Sequence, residues 1–378
     1  MDFLLEGFKA LAANPKMIAM WVIGGLLIYL AIKKDMEPAL LLPMGFGAIL
    51  VNLPLSPVIG DPANGEHLGI ITSLFQVGIE ASEAMPLLLF IGIGAMIDFG
   101  PLLTNPKLFI LGGAAQFGIF VTIIFAAMIG FPLNDAASIG IIGAADGPTA
   151  ILVAIQLASK YVGPIMVVAY SYMALVPIVQ PFFIKLCTTK NERKIRMKYN
   201  AKQIPPLMRI LFPIIVTIVS GLIAPDSLSL VGMLMFGNLL RECGVLKSLS
   251  ETAQTTFSNI ITLLLGITIS FQMQADAFLS LETIIIMGLG LFAFIFDTVG
   301  GVMCAKLINL FSKEKINPML GAAGISAFPM ASRVVAKMGT KEDPGNHLLM
   351  HAVGANVSGQ IASAIVGGLI IGILGPFC

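Results

Sequence analysis

Long apolar runs separated by short polar stretches make up most of the chain. In the first half these runs cover residues 16–33, 39–54, 87–96, 108–129, 136–157 and 162–186. In the second half they cover residues 207–223, 228–240, 260–271, 284–296, 298–310, 319–335 and 348–374. A helix needs about 20 apolar residues to cross a bilayer, so the longer runs predict spanning helices and the shorter ones predict interrupted helices. The pattern predicts an all-α polytopic membrane protein with discontinuous helices.

The composition supports this interpretation. Hydrophobic residues make up 57% of the 378 residues and charged residues only 11%, whereas about 25% charged residues is usual for a soluble domain. The four cysteines are far apart and form no ligand pattern with the three histidines, so neither a disulfide framework nor a metal cluster of these residues is predicted. The cysteines are Cys187, Cys243, Cys304 and Cys378.

A basic cluster lies near the middle of the chain. It contains Lys185, Lys190, Arg193, Lys194, Arg196, Lys198, Lys202 and Arg209, and its one acidic residue is Glu192. Because loops rich in lysine and arginine remain in the cytoplasm, the cluster predicts a cytoplasmic loop, and we favour this over a nucleic-acid site. The loop divides the chain into a first transmembrane repeat (1–187), a basic linker (188–206) and a second transmembrane repeat (207–378).

Asp146 lies in the middle of an apolar run, in the sequence GAADGPT at residues 143–149. An ionised carboxylate near the centre of a bilayer costs at least about 2.5 kcal/mol unless a partner compensates its charge. The Gly-Pro step that follows breaks the helical hydrogen-bond ladder and frees backbone groups. An acid beside unwound backbone is typical of transporter sites for small cations. The alternative is a structural carboxylate that pairs with Arg333 or caps a helix.

Two landmarks recur in both halves of the chain. The GAAD of residues 143–146 corresponds to the GAAG of residues 321–324, and each continues to a proline. Upstream, LLLFIG at residues 87–92 resembles ITLLLG at residues 261–266 at a similar distance. The match predicts two repeats, which are inverted if each half contains an odd number of spans, with their broken segments meeting near the bilayer midplane.

Several motifs together resemble the membrane β-subunit of the sodium-pumping, biotin-dependent decarboxylases. They are GAADGPT at 143–149, INPMLGAAGISA at 316–327, PMASR at 329–333, HAVGANVSG at 351–359, GGLLIY at 24–29 and LPMGFG at 42–47. The resemblance covers essentially the whole chain. It implies two inverted repeats arranged as a scaffold and a moving, elevator-like core domain in a bacterial cytoplasmic (inner) membrane. The implied reaction is decarboxylation of carboxybiotin, coupled to sodium export with consumption of a proton.

The resemblance also implies partners and site residues. The partners are a biotin carrier protein or domain, a carboxyltransferase α-subunit, a small membrane-anchor subunit, membrane lipid and further copies of the chain, with no nucleic acid. Asp146, Asn317, Asn356 and Ser326 are the expected sodium ligands. Arg333, Gly321 and Ser326 are expected to bind carboxybiotin, with Arg333 orienting its carboxylate. Asp146, Tyr172 and Arg333 are the expected catalytic residues.

Other readings of the same residues remain open at this stage. A sodium-coupled secondary transporter without enzymatic chemistry would show the same periodicity and the same broken helices. A purely structural membrane subunit would leave Asp146 unexplained. We expect Asp297 to be a cap or interface residue, and Thr149, Ser358 and Ser363 to serve mainly in helix packing.

Overall fold

The computed structural model describes residues 2–60, 65, 67–197 and 204–377. Part of the predicted linker, including Lys198 and Lys202, and the terminal Cys378 lie outside the described residues. The helices of the first half are α1 (Asp2–Ala13), α2 (Lys16–Lys34), α3 (Pro38–Val51), α4 (Ile70–Phe75), α5 (Ala84–Met96), α6 (Gly100–Thr104), α7 (Lys107–Ala114), α8 (Phe117–Ile129), α9 (Leu133–Gly140), α10 (Gly147–Gln156) and α11 (Val162–Cys187).

The linker contains α12 (Lys190–Arg193). The helices of the second half are α13 (Pro206–Ile223), α14 (Leu228–Glu242), α15 (Lys247–Thr252), α16 (Ser258–Ile269), α17 (Ala275–Phe278), α18 (Leu281–Phe311), α19 (Met319–Ala322), α20 (Met330–Glu342) and α21 (Leu349–Leu374). No strand occurs among the described residues. The prediction of an all-α chain is therefore confirmed for the part that the structure describes.

Six stretches of the described chain are long and apolar enough to cross a membrane, or up to eight if each of two bent pairs is one span. The six are Lys16–Lys34, Lys107–Ile129, Pro206–Ile223, Lys247–Met273, Leu281–Phe311 and Leu349–Phe377. The bent pairs are Ile70–Glu80 with Ala84–Met96, and Val162–Met173 with Leu175–Cys187. The chain is thus a multi-pass membrane protein.

Contacts of the linker identify one end of the helix bundle, here called the basic side. Lys306, near the end of α18, donates a hydrogen bond of 2.8 Å to the carbonyl oxygen of Cys187 and forms an ion pair of 3.1 Å with Glu192. α11 and α18 therefore both end at the basic side. α18 has 31 residues, about 46 Å at 1.5 Å per residue, so its first residue lies at the opposite side.

Residues 133–156 form a hairpin, here called the first hairpin, instead of crossing the membrane. They comprise α9, a 3₁₀ segment (Ile141–Ala144) and α10. The two ends of this hairpin lie together, because the Asn134 amide donates to the carbonyl oxygen of Leu157 and Asp135 accepts from the Ser159 hydroxyl at 2.7 Å. Since α11 starts at Val162, close behind, both ends are at the opposite side. The predicted broken helix at Asp146 is a re-entrant hairpin.

Residues 317–342 form a second hairpin, which enters from the basic side. At its start, the Asn317 amide donates to the carbonyl oxygens of Arg193 and Ile195, both at 2.9 Å. At its end, Glu342 forms an ion pair of 2.9 Å with the Arg193 guanidinium. The chain turns between α19 and α20, where residues 323–329 are not in an α-helix. The two hairpins thus approach each other from opposite sides.

α18 is a single helix across the point where the sequence suggested two runs, 284–296 and 298–310. Asp297, which we expected at the end of a run, lies in the middle of this helix with no exposed surface. The predicted helix end was wrong, because the polar side chain interrupts the apolar pattern without interrupting the helix. A capping contact is present, however, since Oδ1 of Asp297 accepts hydrogen bonds from the main-chain amides of Gly118 and Ile119 in the first turn of α8. Two glycines of α18 explain the close packing around this helix: Gly290 adjoins α11, and Gly301 adjoins the second hairpin at Gly321.

Candidate ion-binding site

The backbone at the tip of the first hairpin places Asp146 between two helical segments. Ala145 adopts a left-handed conformation with φ of 52°, and Asp146 is extended with φ of −130°. Pro148 lies in the first turn of α10, where its missing N–H has no helical partner to lose. A Cβ at Gly147 would lie 2.2 Å from the ring of Tyr170, so this position accepts glycine alone without movement of the tyrosine.

The Asp146 carboxylate is buried and is bound by two hydroxyl groups. Thr149 donates a hydrogen bond of 2.6 Å, and Ser363 of α21 donates one of 3.1 Å, both to Oδ2. Only 4% of Asp146 is exposed, and none of the ion pairs within the described residues involves it. Two neutral donors do not balance a full charge in an apolar setting. The carboxylate therefore has the surroundings of a group that binds a cation.

The tips of the two hairpins are in direct contact. The main-chain amide of Ser326 donates a hydrogen bond of 3.1 Å to the carbonyl oxygen of Ala144, two residues before Asp146. The Ser326 hydroxyl donates to the carbonyl oxygen of Gly359 on α21 at 3.0 Å. Ser326, predicted as a sodium ligand, is thus at the junction of the two hairpins and α21.

One face of α21 supplies further polar groups to this junction. The Asn356 amide donates to the carbonyl oxygen of Ile325 at 2.6 Å, and the Gln360 amide donates to the carbonyl oxygen of Ser326. The side-chain oxygens of Asn356 and Gln360 are buried, and no donor among the described residues reaches them. Buried acceptors without a partner are uncommon in native structures. Both oxygens are therefore free to ligate a cation near the tips.

Asn317 occupies a different place from the other predicted ligands. Its amide donates to the linker carbonyls described above, and its oxygen accepts from the main-chain amide of Met319 at 3.1 Å. Asn346 donates to the same two linker carbonyls. These bonds hold the start of the second hairpin at the basic side, and no hydrogen bond joins Asn317 to Asp146.

Arg333 lies one turn into α20, and its side chain is exposed. It makes no ion pair within the described residues, so the alternative in which Arg333 neutralises Asp146 is not found. Glu37, at the start of α3, is the acid on which the charge of Arg333 acts. The guanidinium of the second hairpin is thus within electrostatic reach of the first half of the chain, at the start of α3.

The two neighbouring tyrosines of α11 differ in their surroundings. The Tyr172 hydroxyl donates to the carbonyl oxygen of Met287 on α18. Tyr170, which is not among the predicted site residues, packs its ring on Gly147, and its buried hydroxyl has no partner in the described part of the chain. Tyr170 is therefore the tyrosine that contacts the first hairpin tip.

Gly321 allows the second hairpin to pack against α18. A Cβ at this position would lie 1.9 Å from the carbonyl oxygen of Gly301. The residue is buried, so the structure gives it a packing role. Its predicted contact with carboxybiotin stays a prediction.

Comparison with known proteins identifies the family. The sequence profile described as Na+-transporting oxaloacetate decarboxylase beta subunit matches residues 16–374. The chain is 48% identical to methylmalonyl-CoA decarboxylase subunit beta of Propionigenium modestum, over 98% of this chain and 97% of the relative. The chain belongs to this family.

Two further relatives bear names with other acyl substrates. Glutaconyl-CoA decarboxylase subunit beta of Acidaminococcus fermentans is 46% identical over 94% of this chain and 92% of its own length. The oxaloacetate decarboxylase beta chain of Klebsiella pneumoniae is 41% identical over 98% of both chains. The predicted family is confirmed, and with it the predicted function: this β-subunit is a membrane subunit of a decarboxylase sodium pump, with sodium as the transported ion and carboxybiotin as the species decarboxylated.

Three polar residues near the hairpin tips of this β-subunit make contacts that the sequence did not predict. Thr149 and Ser363, expected to serve in packing, bind the Asp146 carboxylate directly, whereas Ser358 fits the packing expectation by donating to the carbonyl oxygens of Leu108 and Ala355. Gln360 was not considered. Residues 356, 360 and 363 recur at intervals of four and three, which places them on one helix face. That spacing was the available signal.

Proposed function

We propose that this β-subunit binds sodium at the junction of the two hairpin tips and releases it by moving the hairpins relative to the rest of the chain. The observation that carries the proposal is the buried Asp146 carboxylate, with two hydroxyl donors and no cationic partner within the described residues. Sodium prefers oxygen ligands, as hard cations do. Thr149, Ser363, Asn356 and Gln360 offer such oxygens around Asp146, and Ser326 offers a hydroxyl. Asn317 lies at the base of the second hairpin and would reach the ion only if this hairpin shifted; otherwise it would act by holding the hairpin base.

We propose that Arg333 holds the carboxylate of carboxybiotin. The Arg333 guanidinium is exposed and forms no ion pair in the described part of the chain, which suits it to bidentate binding of a planar carboxylate. The second hairpin enters from the basic side, where a carrier-bound biotin would arrive. During the reaction the N–CO₂ bond breaks, CO₂ leaves, and a proton is taken up by the ureido nitrogen, so one proton is consumed for each CO₂. We propose that this proton is passed by the hydroxyl of Tyr172, which donates a hydrogen bond to the carbonyl oxygen of Met287 on α18.

The proposed architecture is two inverted repeats that form a scaffold and a moving core. Two features support it. The hairpins enter from opposite sides and meet at their tips, and each half has a π-helical segment just before a corresponding helix, Gln76–Glu80 before α5 and Ala253–Phe257 before α16. We place the basic side in the cytoplasm of a bacterium, by the rule that positive loops stay inside. The proposed boundaries of the repeats are 1–187 and 207–378.

We also propose the partners that this chemistry needs. They are a biotin carrier, the carboxyltransferase α-subunit that loads it, a small membrane-anchor subunit, surrounding lipid and further copies of this chain. Only the carrier has to reach Arg333. Which acyl compound supplies the carboxyl group would be decided by the carboxyltransferase.

The experiment that tests the proposal is a transport assay in proteoliposomes that contain the complete complex. CO₂ release from carboxybiotin and ²²Na⁺ uptake are followed together for the wild type and for Asp146→Asn, with Ser358→Ala as the control. We expect sodium-dependent CO₂ release coupled to uptake in the wild type and the control, and loss of both in Asp146→Asn. Sodium-dependent CO₂ release and coupled uptake that persist in Asp146→Asn would contradict the proposal.

A further inference from the structure

A second buried carboxylate lies at the centre of the helix bundle, on α18. Asp297 has no exposed surface. Its Oδ1 accepts hydrogen bonds from the main-chain amides of Gly118 and Ile119, in the first turn of α8. Its Oδ2 is buried and has no hydrogen-bond partner among the described residues. The two oxygens of one carboxylate are thus in very different surroundings.

Two glycines allow the backbone to approach Asp297 from two directions. A Cβ at Gly118 would lie 2.3 Å from the carbonyl oxygen of Ala293, one turn before Asp297. A Cβ at Gly143 would lie 2.5 Å from Oδ2 of Asp297 itself. The unpartnered oxygen therefore lies directly against the first hairpin, three residues before Asp146. Asp297 thus contacts two places where a helix is interrupted: the start of α8 through Oδ1, and the first hairpin through Oδ2.

Two further buried side-chain oxygens lie at Gln116, directly before α8, and at Thr122 within α8, and neither has a hydrogen-bond partner in the described part of the chain. The Gln116 side chain donates to the carbonyl oxygen of Gly112, but its own oxygen has no donor within the described chain. The hydroxyl of Thr122, one turn after Gly118, is likewise without a partner. A carboxylate, an amide oxygen and a hydroxyl are the ligand types that a hard monovalent cation uses.

No basic side chain among the described residues forms an ion pair with Asp297. α8 and the 3₁₀ segment of the first hairpin carry no titratable residue. On the other elements packed against α18, Lys107 is at the start of α7, Asp135 of α9 is bound to Ser159 at the hairpin base, and Tyr172 of α11 is bound to Met287. The start of α8 offers about half a positive charge. A buried carboxylate in these surroundings lacks roughly half of the compensation that it requires.

We propose that Asp297, with Gln116 and Thr122, forms a second site for one monovalent cation, either sodium or a proton, that is occupied together with the Asp146 site. The inference rests on the proposed function, because a cation bound here is of use only if the first hairpin moves during transport. Binding at Oδ2 neutralises the carboxylate and changes the contact with Gly143. In this way binding of a cation at Asp297 changes the position of the backbone that holds Asp146.

The test uses the complete complex in proteoliposomes and counts sodium ions transported and protons consumed for each CO₂ released. The variant is Asp297→Asn, whose amide oxygen can still accept from Gly118 and Ile119. Asp135→Asn is the matched control, because Asp135 is also buried but its carboxylate is bound to Ser159. We expect Asp297→Asn to lower either the number of sodium ions transported or the number of protons consumed by one for each CO₂ released, and we expect Asp135→Asn to change neither number. A lower sodium count identifies sodium, and a lower proton count identifies a proton.

Wild-type counts in Asp297→Asn would overturn the inference and leave Asp297 as a cap of α8. If that variant does not fold, modification of the wild-type complex by a carbodiimide decides, because this reagent modifies protonated carboxyl groups. Modification of Asp297 that is prevented by sodium or by higher pH supports the site, whereas modification of Asp146 alone overturns it. Absence of coupled uptake in the wild type would instead contradict the proposed function, and the carbodiimide result would still decide on Asp297.

Discussion

The main-chain amide of Ser326 donates a hydrogen bond to the carbonyl oxygen of Ala144, and this bond joins the tips of two hairpins that enter from opposite sides. At this point the two tips are in contact through their main chains. α21 reinforces the junction, since Ser363 binds the first hairpin and Gln360 binds the second. An ion at Asp146 would therefore be closed off by one hairpin from each side. Movement of either hairpin would break a small number of identified bonds.

The Ser363 hydroxyl is expected to tune the affinity for sodium. Ser363→Ala removes one of the two donors to Asp146, or one oxygen ligand when the ion is bound. The lost oxygen ligand weakens sodium binding, and a loss of about 1.4 kcal/mol would raise the sodium concentration for half-maximal CO₂ release about tenfold. The maximal rate should change little. Ser358→Ala, on the same helix but bound to backbone carbonyls, is the control, and an equal shift in both variants would contradict this role of Ser363.

The Arg333 side chain is expected to act on the carrier and not on sodium. Arg333→Lys keeps the charge but loses the bidentate geometry. The concentration of carboxylated carrier for half-maximal rate should rise about tenfold, and the half-maximal sodium concentration should stay the same. Lys337→Gln is the control, since Lys337 is exposed one turn later on α20. A change in the sodium dependence with an unchanged carrier dependence would assign Arg333 to the ion site.

The sequence was sufficient to predict the class of fold and the interruption of the helix at Asp146. Both depend on local signals, namely run length and a carboxylate beside a Gly-Pro step. The hairpins were not predicted, because a re-entrant segment and a broken span have the same apolar composition. They differ only in where their ends lie, which depends on contacts such as that between Asn134 and Leu157.

The predicted ligands stay predictions, and they lie at two different places in the structure for the same reason. Asn356 and Ser326 lie at the hairpin tips, but the side chain of Asn317 is bound to the linker. A polar residue beside a broken segment cannot be assigned to its tip or its base without the fold. The helix end predicted at Asp297 was wrong, because a single polar residue in an apolar sequence resembles a boundary.

The glycine at position 321 is expected to be essential for stability. Gly321→Ala would force α19 and α18 apart, since the added Cβ would overlap the backbone of Gly301. Overpacking of a core costs about 1–3 kcal/mol, so the detergent-solubilised protein should melt at a clearly lower temperature. Gly113→Ala is the control, because a Cβ there meets nothing within 4 Å and alanine favours the helix by about 0.5–1 kcal/mol. Equal melting temperatures for Gly321→Ala and the wild type would contradict the packing role.

The two tyrosines of α11 are expected to respond differently to loss of their hydroxyls. Tyr172→Phe leaves the Met287 carbonyl without its side-chain donor, at a cost of about 1 kcal/mol. Tyr170→Phe removes a buried hydroxyl that has no partner within the described residues, so the melting temperature should stay or rise. If the Tyr170 hydroxyl serves the ion, Tyr170→Phe should weaken sodium dependence without loss of stability. A large drop in melting temperature for Tyr170→Phe would show that its hydroxyl has a structural partner.

The base of the second hairpin is expected to be held by an ion pair that is insensitive to pH in the physiological range. Asp343 accepts two hydrogen bonds from the Arg196 guanidinium, at 2.7 and 2.8 Å. The hydrogen bond from Arg196, with one from the Gly345 amide, lowers the pKa of Asp343 from 3.8 to about 2. Because the pKa is lower in the folded state, the stabilisation is fully present above about pH 4 and is lost as the pH falls towards 2.

Asp343→Asn should therefore loosen the hairpin base at neutral pH. We expect faster amide hydrogen exchange in residues 343–348 of the variant than of the wild type at pH 7, with the same difference at pH 5 and 9. Comparison at equal pH removes the intrinsic pH dependence of exchange. Lys341→Gln, an exposed change on the same helix, should exchange like the wild type. A difference between Asp343→Asn and the wild type that is already absent at pH 3 would show that the Asp343 pKa is not lowered, and the hairpin base would then have to be held by Arg193 and Asn317 instead.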